Sequence, residues 1–440
     1  MAKDDAADSS SSQSPAMHIV LFPWLAFGHM IAFLELAERV AARGHRVSFI
    51  STPRNISRLP PAVGVRFVAL PIPHVDGLPE GAEATTDLPS GDKTTELLMK
   101  ACDGLVGPFS AFLDDDGNKA DWLVVDSFHY LAAAAAAERG VPSAMFLTYA
   151  SASTALWGLP RVSTDVDPEV GATVPQRFLL TYQACKMVAQ RCCMEFDPDG
   201  VRLLPSIFGV GGKTFVPVGL LPPPQRANVG VGGEEVVSWL DGRPAKSVVY
   251  VALGSEAPLT VELVHELAMG LELAGSPFLL ALRRLDGVPD QDMLPRGFQE
   301  RTKSRGLVAM GLVPQSRVLG HGSVGAFLTH CGAASVIEGL QFGHPLVMLP
   351  FFGDQRTIAH FMEEKKQVGM QVPRKGKDAS SFDRQGIAST IHAVVVEEQG
   401  RCLFTANAKK LQNIITDTAC HERCIDDFLH HLTVLHHHHQ

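Results

Sequence analysis

Residues 312–355, LVPQSRVLGHGSVGAFLTHCGAASVIEGLQFGHPLVMLPFFGDQ, admit few folds. Residues 324–329 form an apolar run of strand length, ended by His330-Cys331-Gly332. A helix-compatible segment follows over 334–342, and Gly343-His344-Pro345 stops it. Residues 346–349 make the next strand, and Asp354-Gln355 opens a further helix. Strand, Gly turn, helix, strand is half of a doubly wound α/β unit. The turn at Gly332 leaves unpaired N–H groups at the helix N-terminus, a natural seat for a phosphate. Ser335 lies in the first turn, and Glu338 sits three residues later on the same face. A hydroxyl for a phosphate oxygen and a carboxylate for vicinal sugar hydroxyls then stand side by side. An ordinary βαβ crossover with a capping Ser accounts for these facts equally well.

The rest of the chain repeats this grammar. At 440 residues it is long for one core, and two domains of about 200 residues each are expected. Residues 1–16 read as a disordered tail, polar and without a hydrophobic signal core. Residues 17–221 form a first Rossmann-like domain, 222–234 a Pro- and Gly-rich linker, and 235–415 a second such domain. Residues 416–435 make a closing helix. In the first half, strands are expected at 18–22, 46–51, 65–70, 122–125 and 143–147. Helices are expected at 31–43, 93–113 and 131–139, with PWLAFGH (23–29) as a loop. Residues 150–215 show little periodicity. In the second half, strands at 247–252, 278–282 and 307–310 surround a Gly254-Ser255 turn and a helix over 261–274. Residues 380–396 and 403–435 read as mostly helical. In open α/β sheets, ligands sit beyond the carboxyl ends of the strands. Gly28-His29, Asp126 and Thr148 all fall at such places.

Composition narrows the function. With 46% apolar and 19% charged residues the chain is ordinarily globular. A net charge of −9 argues against nucleic-acid binding, since no basic surplus meets the phosphates. No apolar run approaches the length of a membrane span. The eight cysteines include no CxxC pair, and free thiols suit a reducing compartment. A cytoplasmic monomer without membrane insertion is expected. Cys420-His421 with Cys424 has metal-like spacing, but a helical surface is the expected reading. Asp114-Asp115-Asp116 contains a formal DxD motif, yet Gly117-Asn118 behind it reads as a solvated turn. A His held by a buried carboxylate is fixed in one tautomer and made more basic. His29 and Asp126 are positioned for that pairing.

The 312–355 stretch also resembles the C-terminal signature of plant UDP-sugar-dependent glycosyltransferases, glycosyltransferase family 1. Val-Pro-Gln, His-Cys-Gly, the Ser…Glu pair, Gly-His-Pro and the closing Asp-Gln match in order and spacing. The resemblance covers residues 17–432. It implies a GT-B fold, two Rossmann-like domains facing each other across a cleft, with UDP-sugar as co-substrate and no metal. It also implies inversion at the anomeric carbon, His29 as general base and Asp126 as its partner, in Gly28-His29 and Asp126-Ser127-Phe128. Val313 and Gln315 would meet the uracil edge, Glu338 the ribose, and Asp354, Gln355 and Thr148 the sugar. His330, Gly332–Ser335 and the Gly254-Ser255 turn would stabilise the leaving UDP. Gln355 at the closing position is similar to glucose-using members. PWLAFGH with STPRNISRLP (51–60) is similar to the subgroup that adds sugar to a terpenoid or flavonoid glycoside, including cereal enzymes that glucosylate steviol glycosides. The expected partners are thus UDP-glucose or UDP and a small hydrophobic glycoside.

Three positions depart from the family pattern. Leu312 replaces a Trp that stacks on uracil, and Ala333-Ala334 replace a Trp-Asn pair whose Asn assists at the phosphates. Stacking contributes roughly 1–3 kcal/mol and one hydrogen bond roughly 0.5–1.5 kcal/mol. The donor should bind about ten-fold to a few thousand-fold more weakly. A binding protein or pseudoenzyme on the same fold is the alternative reading. The intact His29, Asp126, Glu338, Asp354 and Gln355 favour the enzyme. A sugar epimerase or phosphorylase with this fold would not need the whole 312–355 signature.

Overall fold

The computed structural model describes residues 16–89, 92–167, 171–224, 233–285, 287–311, 313–375 and 381–437. Nearly all of the expected tail, most of the expected linker, and Leu312 lie outside the described residues. Two parallel sheets organise the chain. The first takes strands β1 (His18–Phe22), β2 (Arg46–Ser51), β3 (Val65–Ala69), β4 (Trp122–Asp126), β5 (Ser143–Leu147), β6 (Met187–Gln190) and β7 (Thr214–Pro217) in the order β3-β2-β1-β4-β5-β6-β7. The second takes β8 (Val248–Ala252), β9 (Phe278–Leu282), β10 (Gly306–Met310), β11 (Val324–Thr329), β12 (Leu346–Met348) and β13 (Gly369–Gln371) in the order β10-β9-β8-β11-β12-β13. Both are doubly wound, and together they make the α/β GT-B architecture.

The sequence explains the burial. HIVLF, WLVVD and VVYVA are near-continuous apolar runs, as strands covered on both faces require. Alternate residues of β1 feed different cores: Val20 and Phe22 one layer, Ile19 and Leu21 the other. In β8, Val248 and Tyr250 face one layer while Val249 and Val251 face the opposite one. Strand order reverses between β1 and β4 and between β8 and β11, and a crevice opens at each reversal. Among the described residues, no helix is long and apolar enough to cross a membrane.

Several expected elements are corrected. Gly28 and His29 are not in a loop but in the first turn of the helix Phe27–Ala41. Its N-cap, Ala26, offers no side-chain oxygen, so the usual start signal is missing. The expected helix over 93–113 is two helices, Asp92–Asp103 and Val106–Asp114. A Cβ on the intervening Gly104 would come within 2.5 Å of Pro73. The segment 150–215 is not irregular. Its described residues hold helices Ser151–Trp157, Val174–Ala184 and Pro198–Phe208, the strand β6 and the start of the edge strand β7. Four-residue strands are too short to show a period, which also hid β13. The helical stretch expected over 380–396 begins only at Arg384, where Asp383 caps Gly386 N at 2.8 Å.

The last helix, Thr418–His437, returns to the first sheet. Ile425, Phe428, Leu429 and Leu432 join the core beneath β1 and β2. The Trp122 indole N–H donates to Leu432 O at 3.1 Å. Arg39 pairs with Glu422 at 2.8 Å from the helix Phe27–Ala41.

Candidate active site

The site residues expected from sequence gather at the two strand reversals. At the first, β1 leads through Pro23–Ala26 to His29, and β4 ends at Asp126. His29 Nδ1 lies 2.7 Å from Asp126 Oδ2. Asp126 is buried, while the His29 side chain keeps 17% exposure. Burial works against a charged His29, but the charge and hydrogen bond of Asp126 outweigh it and hold the imidazole above its usual range. Burial likewise opposes an ionised Asp126, and His29 reverses that, holding the carboxyl below the usual range. With Nδ1–H donating to the carboxylate, the Nε2 lone pair is left to accept a proton. Thr148 Oγ1, just past β5, lies 3.2 Å from the same Nδ1. Gly28 is exposed beside His29 with open space where a Cβ would be.

At the second reversal, β8 ends in Gly254-Ser255 and β11 in His330-Cys331-Gly332. Gly254 adopts φ +74°, and a Cβ there would lie 2.6 Å from the His330 ring. A Cβ on Gly332 would lie 2.7 Å from His330 Nε2. The ring is wedged between two backbones that only glycine permits. Cys331 takes φ +65°, an unfavourable conformation for a side-chain-bearing residue that tends to mark functional turns. Burial lowers His330 to about 4, so the imidazole is neutral. Its Nδ1 is buried without a partner among the described residues, which calls for a reason. The helix Ala333–Gln341 begins here with Gly332 as N-cap and no side-chain cap. Its first N–H groups, at Ala333, Ala334 and Ser335, remain for an anion.

One turn on, Glu338 Oε2 accepts from Gln315 Nε2 at 2.9 Å, and Gln315 Oε1 accepts from Tyr250 OH at 3.4 Å. Burial raises the Glu338 carboxyl despite that bond. Val313 packs against the same core. Asp354 stands at the N-cap position of the helix Gln355–His360 without a side-chain cap bond, and burial pushes it up to about 6, with the His29 charge opposing. Gln355 is buried and accepts from Phe351 N and Phe352 N at 2.8 and 3.3 Å. It thereby shapes the loop that carries Asp354. Leu312 lies outside the described residues. Asp114, first of the DxD triplet, accepts two bonds from Arg139 at 2.7 and 2.9 Å, and Asp115 caps Gly117 N at 2.9 Å.

The two reversals face one another. Thr85 Oγ1 of the first half donates to Glu256 Oε1 of the second at 2.6 Å, and the charges of Glu256 and Asp354 both act on His29. A crevice of about 410 Å³ runs between the halves, with Thr148, Tyr149, Ser151 and Arg191 on one wall and Ala333 and Ile337 on the other. Glu256, Tyr149 and Ser127 were not identified from sequence. Tyr149 stands edge-on to His29 at 5.5 Å, and Ser127 Oγ donates to Asp126 Oδ1 at 3.1 Å. Glu256 and Tyr149 are traced in the sequence only by adjacency to Ser255 and Thr148, and Ser127 only as the middle of the Asp126-Ser127-Phe128 motif.

The pattern of the family described as UDP-glucoronosyl and UDP-glucosyl transferase matches residues 232–418. The chain is 37% identical to UDP-glycosyltransferase 91D2 of Stevia rebaudiana over 97% of each chain. Among solved structures, it superposes on Arabidopsis thaliana UGT89C1 complexed with UDP-L-rhamnose with TM-score 0.80 and 24% identity. That match covers 96% of this chain and 100% of the other. It also superposes on a UDP-glucose: anthocyanidin 3-O-glucosyltransferase in complex with UDP, with TM-score 0.76 and 26% identity over 96% and 100%. The chain belongs to the plant UDP-glycosyltransferases, enzymes that take a UDP-sugar as co-substrate.

Proposed function

We propose that this enzyme moves glucose from UDP-glucose to a hydroxyl of a terpenoid (steviol-type) or flavonoid glycoside, acting as a cytoplasmic monomer. In this reading residues 17–221 hold the acceptor and 235–415 the donor. His29 Nε2 takes the acceptor's hydroxyl proton as its oxygen bonds to the anomeric carbon. The bond from that carbon to the UDP oxygen breaks on the opposite face, inverting the centre. Asp126 holds the resulting imidazolium. Neutral His330, the N–H groups of residues 333–335 and the turn at Ser255 meet the charge growing on UDP. Glu338 and Gln315 hold the ribose and the base edge. Asp354, Gln355 and Thr148 hold the sugar. The observation that carries this reading is the His29–Asp126 pair at 2.7 Å, facing an uncapped helix N-terminus and the unpartnered His330 nitrogen.

Gln355 at the closing position supports glucose, while the neighbour bound to UDP-L-rhamnose makes sugar choice the point to test. Purified chain is incubated with UDP-glucose or UDP-rhamnose and with terpenoid and flavonoid glycosides or their aglycones, and products are weighed by mass spectrometry. The reading expects one added hexose from UDP-glucose, on glycosides in preference to aglycones. UDP binding without transfer to any acceptor would overturn it in favour of the binding-protein reading.

A further inference from the structure

The metal-like spacing at Cys420-His421 gains a third member in the folded chain. Cys193, in the loop after β6, is buried against the start of the last helix. One ligand atom from each of Cys193, Cys420 and His421 lies within 4.8 Å of the others. All three residues are buried. Thiolates and an imidazole coordinated to one tetrahedral ion stand somewhat under 4 Å apart, given metal–ligand bonds of about 2.0–2.3 Å, so modest side-chain movement closes the set. Cys424, one helical turn beyond Cys420, also touches it. The Glu195 carboxylate accepts from the Cys420 thiol.

His421 is oriented as a ligand would be. Its Nε2–H donates to Ile415 O at 3.0 Å. A backbone carbonyl on one ring nitrogen fixes the tautomer and turns the other nitrogen's lone pair outward, the usual support for a metal-bound His. That other nitrogen, Nδ1, receives only a long bond, 3.4 Å, from Leu220 N. The backbone reaches it because Gly219, at φ +79°, has no side chain; a Cβ there would lie 3.1 Å from Nδ1. The cluster gathers three parts of the chain: the loop after β6, the exit from β7, and the returning helix.

We infer that Cys193, Cys420 and His421 Nδ1 form a structural site for a zinc-class divalent cation, with the fourth position open to Cys424. Binding deprotonates the two thiols, releases two protons per ion, and replaces the Leu220 N–H contact at Nδ1. The charge left on the site is that of one dication and two thiolates. Soft sulfur and imidazole ligands select zinc-like ions over magnesium or calcium. The site shares no residue with the His29–Asp126 pair; it clamps the last helix to the first sheet.

The test is a titration of the full chain, thiols reduced, with Co²⁺ and then Zn²⁺, followed by absorbance. A thiolate-to-cobalt charge-transfer band is expected, saturating at one ion per chain and lost on adding Zn²⁺. The terminal run His436–His439 also takes up cobalt, but it has no sulfur and gives no such band. Cys193→Ser with Cys420→Ser should weaken the band-forming affinity by about 100-fold or more, beyond the loss usual for supporting residues. Cys402→Ser, at an exposed thiol elsewhere, should leave it unchanged. A wild-type chain with no charge-transfer band overturns the inference, whatever the variants do. So does a band that survives in the doubly substituted chain.

Discussion

At the scale of residues, the account rests on one proton. His29 accepts it only when neutral, and Asp126 raises the pH at which the imidazole loses its charge. kcat/KM should therefore climb as pH rises through an apparent pKa above 6.5 and then level off. Asp126→Asn removes the raising charge, so the inflection should move down, and the plateau should fall by about 10²–10⁴-fold, less than for His29→Ala. Asp354, with its pKa near 6, should add a rise in KM for UDP-glucose below that pH, as its carboxylate is protonated. Stopped-time assays across pH read all three effects. Motif context singled out His29 and Asp126 because strand ends and the Gly-His and Asp-Ser-Phe wording are local. Glu256 and Tyr149 were not legible: the Glu256 charge acts on His29 from the other half of the chain, and Tyr149 meets its ring edge-on. Neither arrangement leaves a spacing in the sequence.

Among the elements, the helix Ala333–Gln341 matters most, and it was legible to within one residue. Its strand, glycine turn and stop signal are local and mutually consistent. Of the elements that were missed, the helices Val174–Ala184 and Pro198–Phe208 carry local caps, at Thr173 and Asp197, whereas β6, β7 and β13 are short and the start at Phe27 lacks a cap. There, tertiary burial does what local chemistry does not announce. The helix also carries the departures at Ala333 and Ala334, and Leu312 precedes it by two elements. Leu312→Trp should mainly lower KM for UDP-glucose by restoring a ring to stack on the base. Ala334→Asn adds a donor where charge grows as UDP leaves, so it should raise kcat. Together they should improve kcat/KM by about ten-fold or more. The gains should be nearly additive, because they act on different parts of the donor. Unchanged donor kinetics in both variants would mean that this chain holds its nucleotide differently from its relatives.

For the molecule as a whole, two reversal points must face each other and stay in register. The Thr85–Glu256 bond and the returning helix serve that end. Phe428 is fully buried in the core beneath β1 and β2. Phe428→Ala should cost about 3–5 kcal/mol of stability, visible as a lower Tm, and should depress transfer only as far as the folded fraction falls. A large loss of kcat in fully folded protein would instead place that helix in the chemistry. The two-sheet architecture was legible from sequence because apolar runs and glycine turns recur with α/β spacing. The region 150–215 was not: its helices are short and separated by loops, although Val201, Leu204 and Phe208 of the helix Pro198–Phe208 are buried at helical spacing.

The role proposed for His29 is that of base in a UDP-sugar-dependent transfer. Its most direct test is the steady-state transfer rate of His29→Ala with UDP-glucose and an accepted glycoside, with UDP affinity measured on the same sample by calorimetry. Loss of about 10²–10⁴-fold or more in kcat/KM, with UDP binding held within a few-fold, is the predicted result. Transfer at the wild-type rate in His29→Ala would contradict it.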